Sequence, residues 1–255
     1  MILPAAALAQ LPFQPYEGQP GKDVIWVPTP PGLVEKMLDL ARVTAKDFVV
    51  DLGSGDGRNV IAAAKRGARA LGVEYDPDLV KLSQRNAEAA GVADKAKFVQ
   101  GDLFKADFSQ ATVLALFLLP ANLDRLRDKF LQLPAGTRIV NNGYMIPGWE
   151  EAEVGHSDAF CTTWCTAYLY LVPAKLAGAW RLPAGEVQFE QDFQTLSGTL
   201  RTKDGRTLPV RGSVRGERVR FSVGLDVYTG RVRGQQMSGE ANGSVSGYWK
   251  AAKAR

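Results

Sequence analysis

Residues 49–60 read VVDLGSGDGRNV, an apolar run followed by three glycines and two aspartates within positions 51–57. The pattern predicts a buried strand turning sharply into a helix. Glycine accepts the positive φ of a tight turn and lets a ligand approach the main chain without a Cβ in the way. In an open α/β sheet, that strand-to-helix junction is the usual ligand position. A phosphate-binding loop needs Gly-x4-Gly-Lys-Ser/Thr, and no such run occurs in the chain. A dinucleotide fingerprint needs a third glycine where Arg58 stands. Asp51 and Asp56 would repel a pyrophosphate and suit a cationic ligand carrying an amino group and hydroxyls.

Outward from this stretch, strands and helices alternate. PGLVEKMLDLARV reads as a helix, with Leu33, Val34, Met37, Leu38 and Ala41 on one face, and RNVIAAAKRG as another, stopped at Gly67. ARALGVEY, AKFVQGD, ATVLALFLL, GTRIVNNGYM and TAYLYLVP read as strands, and PDLVKLSQRNAEAAG and ANLDRLRDKFLQL as the helices between them. Such alternation implies right-handed crossovers and a mainly parallel sheet covered on both faces. We expect a flexible lead-in over 1–21, an α/β domain over 22–174 and a third segment over 175–255.

Two more acids fall in register with Asp51. Glu74 ends the second strand, where a carboxylate can accept both hydroxyls of a ribose. Asp102 ends the third, where it can accept from an adenine amino group. S-adenosylmethionine, with a sulfonium, an ammonium and a ribose diol, has the complementary chemistry. VVDLGSGDGR, ALGVEYDPDLV and FVQGDLF resemble, in this order, the first three motifs of the class I S-adenosylmethionine-dependent methyltransferases. The resemblance implies a Rossmann-like sheet of seven strands whose last, AYLYLVP, runs antiparallel to the others. It also implies that Asp51, Gly53 and Gly55 border the methionine part, Glu74 holds the ribose, and Asp102 with Leu103 flanks the adenine. Ser54, Asp56, Gly57, Tyr75 and Leu118 complete the expected cofactor-binding set. The lead-in VPTPPGLVEKMLDLA is similar to that of a small group of protein-lysine methyltransferases, with members acting on a mitochondrial ATP-synthase subunit and with bacterial relatives. That likeness folds Val27, Thr29 and Pro30 over the cofactor; the plainer reading is a proline-rich edge segment.

After Pro173 the texture changes. Twelve of the 26 glycines fall in 178–255, and short alternating runs replace any helical period. In RVRFSV, Val219, Phe221 and Val223 would face one way and Arg218, Arg220 and Ser222 the other. Lys203-Asp204-Gly205-Arg206 and Gly216-Glu217 read as hairpin turns. We expect a small antiparallel all-β domain, a meander or a barrel. From Lys175 onward 14 basic residues face 7 acidic ones, a charge of +7, whereas the remainder carries 17 against 20, or −3. The basic face is either a solvated surface or a dock for an acidic protein or membrane surface. Nucleic acid is disfavoured, because Trp180, Tyr228 and Trp249 do not form a clustered stacking platform in sequence.

The methyl acceptor is not named by the sequence. After the fourth strand, Phe117-Leu118-Leu119-Pro120 replaces the Asn/Asp-Pro-Pro-Tyr motif of enzymes that methylate planar amide or base nitrogens. A lysine amine, which needs only orientation and desolvation, tolerates this, and a protein or small-molecule acceptor is expected. Asn141, Asn142 and Tyr144 follow the fifth strand as substrate-side candidates. His156, in EEAEVGHSDAF, reads as an exposed loop residue. Cys161 and Cys165 are too few for a zinc site and read as two small buried residues, with a local disulfide as the alternative if the chain is exported. MILPAAALAQ is either an export-signal remnant or an Ala-rich start. The cofactor favours the cytoplasm, and a signal remnant would favour the periplasm. A non-catalytic binding protein keeping the methyltransferase fold is the alternative to an enzyme.

Overall fold

The computed structural model describes residues 13–157 and 161–254. The N-terminal start, on which the reading of an export remnant rests, lies outside them. A first layer contains seven strands: β1 (Phe48–Leu52), β2 (Arg69–Glu74), β3 (Ala96–Gln100), β4 (Val113–Leu116), β5 (Arg138–Asn142), β6 (Glu153–His156) and β7 (Thr166–Leu171). They form one sheet in the order β3-β2-β1-β4-β5-β7-β6. β1 to β5 pair in parallel, and β7 is antiparallel to both β5 and β6, as expected for the last strand. The edge strand β6 comes from the segment read as a loop. Three of its four residues are exposed, so the burial pattern left little trace in the sequence.

The sheet is buried on both faces because successive strand residues point to opposite sides. Val49, Val113, Ala115 and Val140 pack beneath the helices α1 (Pro31–Leu40), α2 (Arg58–Lys65) and α3 (Pro77–Ala89). Val50, Leu52, Leu114, Leu116 and Ile139 pack on the other side against α4 (Pro120–Phe130), through Leu123, Leu126 and Phe130. At the amino ends of the strands, Asp47 ties three segments together. It accepts from the Thr44 amide at 2.8 Å and from the Thr112 hydroxyl at 2.8 Å, and it pairs with Arg138 at the start of β5.

The C-terminal segment forms β8 (Gly178–Leu182), β9 (Gly185–Asp192), β10 (Thr195–Thr202), β11 (Thr207–Arg215), β12 (Arg218–Val223), β13 (Asp226–Arg233), β14 (Gln236–Asn242) and β15 (Gly247–Lys253), closed into an antiparallel barrel. Of the two forms anticipated for this domain, meander or barrel, it takes the closed one, and GAWRL supplies a strand that the sequence reading passed over. The barrel is filled. Phe221 stacks on Tyr228 at 4.8 Å, with Trp249 edge-on to both. Glycines 212 and 230 leave the space that Phe221 and Trp249 occupy. Trp180, Tyr228 and Trp249 are at most 2% exposed, so none offers a stacking surface to a nucleic acid.

The two parts meet closely. Phe193, in the turn between β9 and β10, stacks on Trp149 at 5.4 Å, and Gln194 donates to Glu150 at 2.9 Å. The Ala174 amide donates to the Gly216 carbonyl, and Gln191 holds both the Leu176 amide and the Ala174 carbonyl. These bonds fix the exit of the chain from β7 into the barrel.

Candidate active site

The glycine loop forms the floor of a cleft of about 330 Å³ at the carboxyl edge of β1, β2 and β4. Gly53, Gly55 and Gly57 all have positive φ, at 82°, 55° and 86°, the conformation that side chains resist. A Cβ at Gly55 would lie 2.6 Å from Trp26 Nε1, and one at Gly57 would strike Phe98 and Ser83. Gly55 therefore admits the lead-in segment, and Gly57 admits the packing of α2 against β3 and α3. Arg58, the residue that breaks the dinucleotide pattern, clamps the same segment. Its side chain holds Asp56 and donates to the Thr29 carbonyl at 2.7 Å.

The three acids reach one cleft. Asp51, Glu74 and Asp102 all line the cleft, together with Val27, Thr29, Gly53, Ser54, Gly55, Asp56, Tyr75, Leu103 and Leu118. Gly57 does not. Glu74 is held by three main-chain amides, from Gly55 at 2.8 Å, Tyr75 at 2.7 Å and Asp76 at 3.0 Å. Asp51 is 3% exposed. Burial pushes its carboxyl well above the usual carboxylate range; Asn59 opposes this with a hydrogen bond, and the charges of Glu74 and Asp56 reinforce it. Asp102 accepts from Lys22 Nζ at 2.7 Å, and that ammonium also lies 4.7 Å from the centre of the Tyr75 ring.

Among the described residues, four that line the cleft carry buried polar atoms without partners: Asp51 Oδ1, Ser54 Oγ, Asn59 Oδ1 and Asn122 Nδ2. Buried polar groups are normally hydrogen-bonded, so orphans gathered on the residues around one cleft are consistent with a polar ligand there; Ser54 Oγ sits apart, against Gly72. Acceptors at Asp51 and a donor at Asn122 match the ammonium and carboxylate of an amino-acid moiety. Asn59 and Asn122 sit on α2 and α4, and no sequence motif had marked them. Their position in the first turn of helices that start at the carboxyl edge was the only available signal.

The substrate-side candidates lie elsewhere. Asn141 and Asn142 are fully buried. Asn141 Oδ1 accepts from the Leu118 amide at 3.0 Å and its Nδ2 donates to the Tyr144 carbonyl at 2.9 Å, joining the ends of β4 and β5. Asn142 Nδ2 reaches Thr29 Oγ1 at 3.2 Å and anchors the lead-in. None of the three, Tyr144 included, lines the cleft. His156 is exposed on β6, beside Thr166. Cys161 and Cys165 are half-buried and bridged, which corrects the reading of two small buried thiols. A disulfide across four residues requires a turn rather than a strand, and the segment before β7 supplies it.

Comparison with known proteins agrees with this geometry. The family model for the ANTKMT methyltransferase domain matches residues 51–153, ending before the barrel. A protein-lysine N-methyltransferase of Saccharolobus islandicus is 41% identical over 134 residues, covering 51% of this chain and 83% of that protein. An adenine nucleotide translocase lysine N-methyltransferase of Mus musculus is 38% identical over 123 residues, covering 48% of this chain and 53% of that protein. The crystal structure of an RNA methyltransferase from Salinibacter ruber, in complex with S-adenosyl-L-homocysteine, superposes with a TM-score of 0.55 and 45% identity, covering 59% of this chain and 96% of that one. Fold, sheet order and motifs thus define a class I S-adenosylmethionine-dependent methyltransferase. Within that class, the chain belongs to the ANTKMT methyltransferase-domain family, extended here by a β-barrel.

Proposed function

We propose that this methyltransferase transfers the methyl group of S-adenosylmethionine to a lysine ε-amine of a protein. The observation that carries the cofactor's pose is the set of orphaned polar atoms on residues that line the cleft. In this reading Asp51 Oδ1 receives the α-ammonium and Asn122 Nδ2 donates to the α-carboxylate. Glu74, with Oε1 taken by two amides and Oε2 by one, keeps one acceptor site on Oε2 for a ribose hydroxyl. Asp102 and Leu103 bound the adenine, Tyr75 lies at the ribose end, and Val27 and Thr29 close the top.

The bound cofactor supplies an electrophilic methyl carbon on its sulfonium. The chain contributes orientation and the exclusion of water. Transfer breaks the S–CH₃ bond, forms an N–CH₃ bond to a neutral amine, and leaves the amine's proton with solvent. The sole histidine, His156, lies exposed on β6 and is absent from the cleft lining, so no imidazole base is assigned. A lysine acceptor is supported by the names of the relatives and by the apolar Phe117-Leu118-Leu119 wall after β4, which desolvates an amine and offers a planar amide no partner.

Calorimetric titration with S-adenosylmethionine and S-adenosylhomocysteine tests the site. Micromolar binding lost in Asp51→Ala and Glu74→Ala is the expected result; no binding by folded wild type would overturn it. Tritiated methyl donor added to cell extract, followed by hydrolysis, should then release label as methyl-lysine. Label confined to RNA would replace the lysine reading. The bridged Cys161–Cys165 supports an oxidising compartment over the cytoplasm. Alkylation of intact cells before lysis should leave both thiols unlabelled until reduction; labelled thiols would place the chain in a reducing compartment.

A further inference from the structure

The turn closed by Cys161 and Cys165 carries Trp164, whose φ of 58° is unusual for a bulky residue. Its indole lies edge-on to Phe117, with centroids 5.2 Å apart, and tilted against Tyr144, also at 5.2 Å. Space for it is reserved in the main chain: a Cβ on Gly143 would lie 2.8 Å from Trp164 Cε3. The three aromatics come from the carboxyl ends of β4 and β5 and the start of the antiparallel β7, so they share one edge of the sheet. All three are half-buried. Phe117 belongs to the cleft wall as well, and Leu119 and Met145 beside the trio are 39% and 54% exposed.

An aromatic cluster on an otherwise packed edge would ordinarily be covered. This one adjoins the cleft on the β4 side, opposite Glu74 and Asp102, which bound the nucleotide end. Aromatic faces attract an alkylammonium group through the ring quadrupole, and their apolar bodies pack the methylene stem beneath it. We infer that Phe117, Tyr144 and Trp164 form the binding site for the acceptor's alkylammonium side chain, and that the Cys161–Cys165 bridge holds Trp164 in place for it. The inference rests on the lysine reading of the preceding section, and it assigns that side chain its route to the methyl donor. Tyr144 thereby becomes an acceptor-binding residue although it lies outside the cleft lining. The disulfide acts at one remove, as a staple on Trp164.

The experiment uses the full chain saturated with S-adenosylhomocysteine. Its probes are Nα-acetyl-lysine amide and the uncharged isostere Nα-acetyl-norleucine amide. The Trp164 indole N–H resonance is assigned with Trp164→Phe and followed by NMR during titration. The lysine probe should move this resonance saturably and bind more tightly than the norleucine probe. Trp164→Ala should weaken the lysine probe by about three- to thirtyfold, the range of a cation–π contact, while affinity for S-adenosylhomocysteine stays within about twofold. Trp164→Phe, which keeps a ring, should retain most of the affinity. Cys161→Ser/Cys165→Ser should weaken the lysine probe without moving the cofactor constant. A lysine probe that leaves the indole signal still, or that binds no better than norleucine, overturns the inference. Failure of the lysine reading looks different: the methyl label is then recovered on a residue or molecule other than lysine, whatever the indole signal does.

Discussion

Asn59 Nδ2 donates to Asp51 Oδ2 across 3.1 Å, joining the first turn of α2 to the end of β1. The bond holds one carboxylate oxygen and leaves Oδ1, also buried, without a partner among the described residues. Burial raises the Asp51 carboxyl well above its usual range, so the folded chain retains a proton that the unfolded chain releases. Stability therefore falls as pH rises from the unfolded value of 3.8 through the folded one. Asp51→Asn removes that cost and should raise Tm at pH 8, by about 2–4 °C for each kcal/mol recovered. The same variant should lose S-adenosylmethionine binding at least about tenfold, the loss of one charge-assisted hydrogen bond. In the wild type, binding should release a proton and tighten with pH. Calorimetry in buffers of differing ionisation enthalpy reads this directly.

Lys22 holds Asp102, the acid expected at the adenine. Their hydrogen bond raises the lysine pKa and lowers that of the aspartate. An adenine amino group and the Lys22 ammonium compete for one carboxylate, and Lys22 adds a positive charge beside a cationic cofactor. Lys22→Met should tighten S-adenosylmethionine binding by about two- to fivefold, the range of an exposed ion pair. Weaker binding would instead show that Lys22 helps hold the lead-in segment against the cofactor.

Asp47 pins the opposite edge of the sheet. Burial works against its charge, yet the Thr44 amide, the Thr112 hydroxyl and Arg138 outweigh this and lower its pKa. The stability it contributes is present above the unfolded value of 3.8 and is lost as pH falls through the folded one. Asp47→Ala should cost about 3 kcal/mol at pH 7, because it strips the Arg138 guanidinium of its carboxylate and leaves it only the Ala41 and Arg42 carbonyls. The deficit should shrink at pH 3. Urea unfolding at both pH values measures it.

On the outer face of the barrel, like charges stand directly across neighbouring strands. Arg215 opposes Arg218, and Arg218 opposes Arg231, with Lys250 further along the same row. Glu217, 3.7 Å from Arg231, offsets part of this. Opposed like charges destabilise a sheet, so Arg218→Glu should stabilise the chain by roughly 0.5 kcal/mol. Added salt should raise the wild-type Tm and have a smaller effect on the variant, as a thermal scan between low and high salt would reveal.

Patterns local in sequence were the ones that could be read directly. Val49 to Leu52 and the glycines after them announce a buried strand and a positive-φ turn, because φ and burial are properties of single residues. Glu74 and Asp102 follow from the same logic at the next two strand ends. The barrel domain shows through its alternation, since Val219, Phe221 and Val223 face inward as period two requires. Strand β6 escaped because an exposed edge strand carries no hydrophobic period.

The sequence by itself thus determined the class of fold, the cofactor and the acids at the strand ends. Only the tertiary structure brought Asn122 and Asp51 to one cleft, seated Trp26 on Gly55, set Lys22 on Asp102, and placed Trp164 against Phe117 and Tyr144. Each of these pairs joins segments far apart in the chain, and their side chains meet only through the packing of whole elements. A local pattern encodes the backbone path of its own segment, whereas partners from distant segments are fixed by the geometry of the assembled sheet.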